Sequence, residues 1–155
     1  MKKLLILLFL LNLLTSNSHS IEPDVFVQST VNRASEILSK DISKEEKINQ
    51  LKVIAKETVD IKGIGFYSLG SVRKILDDNQ KNKYLEFFEE YFLKSFSSRL
   101  SEYSNPKIDV QDKEVLNKNY TIVKSILVAT SERPEIKIDW RIYTKNPDNP
   151  LIRDL

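Results

Sequence analysis

From Asp24 to Lys40, apolar or small residues recur at Val27, Val31, Ala34 and Leu38, the three-and-four spacing of one helical face, with Pro23 ahead and Asp24 placed to cap it. A second helix follows. Ser43 stands three residues before Glu46, a capping-box pair, and Ile48, Leu51, Ala55 and Val59 mark the inner face behind it. All three glycines fall within the run Ile61-Lys62-Gly63-Ile64-Gly65-Phe66-Tyr67-Ser68-Leu69-Gly70. Their spacing is not the G-x-G-x-x-G of a dinucleotide fold, so the run predicts a turn packed between helices, with close backbone approach around a cavity or core. A phosphate cradle is the sharper alternative. Ser71 to Leu76 reads as a short helix.

The longest predicted element runs from Asn79 to Tyr103. Tyr84, Phe87, Phe88, Tyr91, Phe92, Phe96, Leu100 and Tyr103 form one broad face, and Lys83, Glu86, Glu90, Lys94 and Arg99 hold the other. Such a stripe either fills a core or lines a cavity. After Pro106 the period changes from 3.6 to 2. Ile108 and Val110 predict a short strand, Asp112 to Asn119 a connection, and Tyr120 to Thr130 a long strand with apolar residues on both faces. Glu135 to Thr144 alternates, with Ile136, Ile138, Trp140 and Ile142 on one side and Lys137, Asp139, Arg141 and Tyr143 on the other. A turn over residues 146–150 leads into a fourth strand from Leu151 to Leu155. The pattern is α+β: N-terminal helices packed on one face of a curved antiparallel β-sheet, as a single domain over residues 21–155.

Residues 1–20 read as a signal peptide, with Lys2 and Lys3 before an apolar run from Leu4 to Leu14 and small residues at Ser18 and Ser20. The run is too short for a bilayer, which needs about 20 apolar residues; a buried or interfacial N-terminal helix is the other reading. The 155 residues hold no cysteine and one histidine, His19, inside this leader. That excludes thiol chemistry, zinc sites and imidazole relays from the exported protein, and no metal or cofactor is expected. Of 24 Lys+Arg and 22 Asp+Glu, the leader carries two lysines and no acid, leaving 22 of each sign. A neutral protein of this kind has no electrostatic footprint for nucleic acid.

The leader, the run Phe66-Tyr67-Ser68-Leu69-Gly70-Ser71-Val72-Arg73, the aromatic helix ending Tyr91-Phe92-Leu93-Lys94-Ser95-Phe96-Ser97-Ser98-Arg99-Leu100-Ser101-Glu102-Tyr103, and the closing Ile152-Arg153-Asp154-Leu155 together resemble the MlaC family, also called toluene-tolerance or ABC-transporter auxiliary proteins. The resemblance covers about residues 22–155. It implies a periplasmic carrier with no catalytic residues. The cargo would be a phospholipid, passed between an outer-membrane lipoprotein–porin complex and an inner-membrane ABC transporter with an MCE-domain subunit, so that outer-membrane lipid asymmetry is maintained. The acyl tails would sit between sheet and helices, in a monomer. Family members usually have a Trp where this chain has Leu151 and continue past the last strand, so the C-terminal part of the domain is expected to be missing.

Physical chemistry points the same way. Exposing an acyl chain of about 16 methylenes to water costs on the order of 13 kcal/mol. A shuttle must therefore enclose the tails in an apolar cavity. The candidate lipid-binding residues are Phe66, Tyr67, Leu69, Phe88, Tyr91, Phe92, Phe96, Val123, Ile138 and Trp140, each with ordinary core packing as the alternative. Arg73 and Lys74 are candidates for the head-group mouth, with a solvated helix face as the alternative. Two other functions stay open. An exported NTF2-like small enzyme would need carboxylates inside the cavity, whereas Asp139 and Tyr143 fall opposite the Ile/Trp row. A ligand-free protein-interaction module would have a cavity too small for an acyl chain.

Overall fold

The computed structural model describes residues 20–155, so the expected signal peptide, His19 included, lies outside the described residues except for Ser20. Four helices precede a four-stranded sheet: α1 Pro23–Ser39, α2 Lys44–Thr58, α3 Ile61–Ser68, α4 Asp78–Leu100, then β1 Ile108–Asn117, β2 Tyr120–Leu127, β3 Ile136–Tyr143 and β4 Leu151–Asp154. The strands are antiparallel neighbours in the order β1-β2-β3-β4. This is the α+β arrangement the periodicity predicts.

Helix starts follow local chemistry, with one correction. The Ser43 hydroxyl accepts from the Glu46 amide at 3.1 Å, and Asp77 and Gln80 form a full reciprocal capping box at the head of α4. Asp24 is not a cap. Glu22 occupies the position before α1 and makes no side-chain cap, while Asp24 binds Lys113 on β1 at 2.7 Å. The aromatic helix begins at Asp78 and ends at Leu100, so Tyr103 lies beyond it, and Asn105 turns the chain with a positive φ of 46° ahead of Pro106.

The glycine-rich run is a helix rather than a turn. Asp60 caps α3 by accepting from the Gly63 amide at 2.9 Å. At Gly65 the helix crosses α4 so closely that a Cβ would meet Leu85 and Phe88 carbons at 2.9 Å. Close approach was legible; the conformation achieving it was not. Gly70, at φ +54°, then breaks the helix into a 3₁₀ turn over Gly70–Lys74, in place of the expected helix from Ser71 to Leu76.

In the sheet, Thr121, Val123, Ser125 and Leu127 of β2 are buried at period two, and their cross-strand partners are Ile142, Trp140, Ile138 and Ile136. The helices cover this face. β1 is longer than predicted, because Asp112 to Asn117 continue the ladder past an irregularity between Val110 and Asp112. α1 meets the first half of β1 through Gln28, which contacts Ile108 and Val110, and the second half leaves Val115 and Leu116 exposed. β4 is tied back to the helices: Val59 bridges Ile152 in parallel, and the Asp60 amide donates to the Ile152 carbonyl at 2.8 Å.

Candidate functional site

Along α4, Tyr84, Phe88, Phe92 and Phe96 stand one turn apart and stack in a ladder, with ring centroids 5.9, 6.2 and 5.3 Å apart. Phe88, Phe92 and Phe96 pack onto the main core, which holds Val27, Val31, Ala55, Val59, Leu93, Val123, Trp140, Ile142 and Ile152. Trp140 projects from the middle of β3. Its Nε1 donates to the Ser125 hydroxyl at 2.7 Å, so the ring is buried without a stranded N–H.

Between α1, α2, α4 and the sheet lies a cavity of about 180 Å³. Val31, Leu38, Leu51, Ile54, Phe96, Leu100, Leu127, Ile138 and Trp140 form much of its wall, and no Asp, Glu, Lys or Arg side chain lines it. The serine and threonine hydroxyls that reach it are already engaged. Thr30 donates to the Phe26 carbonyl at 2.9 Å, Ser35 to Pro106 at 2.8 Å and Thr58 to Ile54 at 2.7 Å. Such a chamber offers dispersion and exclusion of water, and no proton chemistry.

A second hollow, of about 240 Å³, shares Val59, Phe96, Trp140 and Ile152 with the first and adds Ile64, Phe92, Arg153 and Asp154. A third, of about 480 Å³, shares Ile64, Arg153 and Asp154 with the second and adds Phe66, Tyr67, Arg73, Tyr120 and Arg141. The three form a row from an uncharged inner chamber to an arginine-bearing mouth. At the junction Arg153 is held from several sides. It donates to Asp60 through Nε at 2.7 Å and again through Nη2, bonds the Tyr120 hydroxyl, and stacks 3.9 Å from the Tyr143 centroid. Burial opposes its charge, but the bonds to Asp60 and Tyr120 outweigh burial and push its pKa above the ordinary value.

Of the residues expected at the site, Phe96, Ile138 and Trp140 line the inner chamber, Phe92 the second hollow, and Phe66, Tyr67 and Arg73 the mouth. Val123 lies fully buried opposite Trp140, and Phe88 packs under α3. Leu69 is half-buried at the end of α3. Tyr91 is 69 % exposed, and Lys74 is exposed outside all three hollows. Sequence reasoning missed Arg141, Arg153 and Tyr120. Alternation assigned Arg141 to the outer face, but nothing in the pattern signalled that the sheet edge and the α3 end would meet. Asp139 and Asp154 are both exposed, Asp154 at the rim beside Arg153, so neither is a carboxylate inside the apolar chamber. Among the described residues no cluster of three or more His, Cys, Asp or Glu could hold a metal ion, and no helix is long and apolar enough to cross a membrane.

A search of curated proteins gives no match. Among solved structures, the chain is similar to a phospholipid-binding protein from Ralstonia solanacearum in complex with a phospholipid. The TM-score is 0.70 at 12% identity, over 86% of this chain and 76% of that one, which is a likeness of fold. The family model described as MlaC protein matches residues 28–155, nearly all of the helices and the whole sheet, and the chain therefore belongs to the MlaC family.

Proposed function

We propose that the protein is a periplasmic phospholipid carrier that takes the acyl part of its cargo into the chamber between helices and sheet. The observation that carries this is the row of hollows, uncharged within and arginine-bearing at its mouth. Members of the MlaC family are lipid-binding carriers, not enzymes, and phospholipid is their cargo with no cofactor indicated. Capacity supports the proposal. A cavity of about 150 Å³ holds one benzene, so each carbon takes about 25 Å³. The inner chamber and second hollow offer at most about 420 Å³ together, room for one chain of about 17 carbons on that scale.

In this reading Phe92, Phe96, Ile138 and Trp140 touch the tail, Phe66 and Tyr67 flank its entrance, and Leu69, Phe88 and Val123 back the wall. Tyr91 and Lys74 are left without cargo contact by their exposure. Residues 1–20 direct export, and the carrier works as a monomer between an outer-membrane lipoprotein–porin complex and an inner-membrane ABC transporter with an MCE-domain subunit, in support of outer-membrane lipid asymmetry. Native mass spectrometry of the protein purified from a Gram-negative periplasm tests the first step. A phospholipid bound at one per chain is the expected result, and a protein that neither retains nor takes up phospholipid from vesicles overturns it.

A further inference from the structure

We propose that the mouth of the cavity is a binding site for a phosphoryl anion, built from Arg73, Arg141, Arg153 and Tyr120. This deepens the carrier reading and rests on it for the neighbouring apolar chamber. Three guanidinium groups from three separate elements line one hollow: Arg73 from the 3₁₀ turn, Arg141 from β3 and Arg153 from β4. A planar fork of N–H donors matches the oxygens of a phosphate better than the single point of an ammonium does.

The three arginines are not equivalent. Arg153 is fixed by Asp60, Tyr120 and Tyr143, and its bonds to the first two use three of its five N–H donors. It is thus positioned before any ligand arrives. Arg141 lies near the Tyr120 ring, with 5.8 Å between its guanidinium carbon and the ring centroid, and neither it nor Arg73 has a carboxylate partner among the described residues. Charge then selects the ligand. Asp60 offsets Arg153, and Asp154 at the same hollow opposes any anion. Three positive charges against two negative leave a surplus of one, which the single negative charge of a phosphodiester neutralises. A phosphodiester is the linkage of a phospholipid head group, and the mouth stands at the end of a row whose inner part suits a tail. Exposed arginine pairs with solvent at no gain, whereas a bound phosphodiester makes charge-assisted bonds of the stronger class.

The test compares wild type with the R73Q/R141Q variant, which leaves Arg153 and its structural pair intact. Delipidated full-length chains are offered phosphatidylglycerol or diacylglycerol of the same acyl composition in identical micelles, and occupancy is read by native mass spectrometry. Wild type is expected to prefer phosphatidylglycerol by about tenfold or more, and the folded variant to lose that preference while its diacylglycerol uptake is unchanged. Inorganic phosphate, added to lipid-free protein while the Arg73 and Arg141 Nε–H signals are followed by NMR, separates the sources. A response to phosphatidylglycerol alone assigns the site to the head group, and a response to inorganic phosphate alone assigns it to free anion. Equal uptake of both lipids with no phosphate response overturns the site and leaves the carrier standing. If neither lipid is taken up, the carrier reading falls, and the phosphate signals alone decide whether the anion site stands.

Discussion

Trp140 and Ser125 face each other across adjacent strands, and the indole N–H donates to the serine hydroxyl at 2.7 Å beneath the chamber. The same hydroxyl lies 3.4 Å from the Ile138 carbonyl. Ser125→Ala strands the buried indole donor, at a cost of about 1–3 kcal/mol. Urea unfolding should show this loss. In a Trp140→Phe background the added Ser125→Ala change should cost much less, because no donor remains to be stranded. Equal losses in the two backgrounds would show that the bond contributes nothing.

Ala55 is 2 % exposed and lines the chamber from α2. Ala55→Leu adds three carbons, about 75 Å³ at 25 Å³ each, against a cavity of about 180 Å³. Filling a void with apolar atoms should leave thermal stability unchanged or raised while phospholipid occupancy falls several-fold. This separates container from core, since a residue that only packs would move stability and occupancy together. Occupancy equal to wild type, with the fold intact, would place the tail elsewhere.

The helices and the sheet were readable because each buries one face, and one-sided burial leaves its period in the sequence. Val27, Val31 and Leu38 on α1, and Val123 and Trp140 on the sheet, are where periodicity places them. Two misreadings have physical causes. Gly63 and Gly65 look like a turn because glycine is a poor helix former, yet Gly65 serves α3 by letting Phe88 and Leu85 come close. Residues 112–117 look like a loop because their half of β1 meets α1 through the charged head of Lys113 and leaves Val115 and Leu116 exposed, so no buried face imposed alternation. The mouth was the least legible part. Arg153 meets Asp60 across 93 positions of chain, and only the folded register of β4 beside the α2–α3 junction brings them together.

Asp60 performs two tasks that substitution can separate. One carboxylate oxygen caps α3 and the other binds Arg153. Asn is as good a cap as Asp, so Asp60→Asn should remove the charge pairing alone and lower stability by about 1–3 kcal/mol. Asp60→Ala should cost about 1 kcal/mol more through loss of the cap. Guanidinium chloride unfolding of the two variants gives both figures. Identical losses would mean that the cap carries no weight at this junction.

Lys113 anchors the start of α1 to β1, reaching Asp24 at 2.7 Å and Glu22 at 2.6 Å. The hydrogen bond from Lys113 holds the Asp24 carboxyl below its ordinary value of 3.8, against the opposing effect of burial. The bonds to Asp24 and then Glu22 hold the Lys113 ammonium above its ordinary 10.5. The signs define a window. A depressed carboxyl stabilises the fold above its unfolded value and loses that contribution as pH falls through the lower folded value; a raised ammonium stabilises below 10.5 and loses its contribution as pH rises through the higher folded value. The Tm difference between wild type and Lys113→Met should therefore be flat from about pH 5 to pH 9 and narrow at both extremes. Both groups are about one-third exposed, so salt should shrink the plateau as well. A difference that persists unchanged at pH 2 would show that Lys113 acts through packing of its stem and not through its charge.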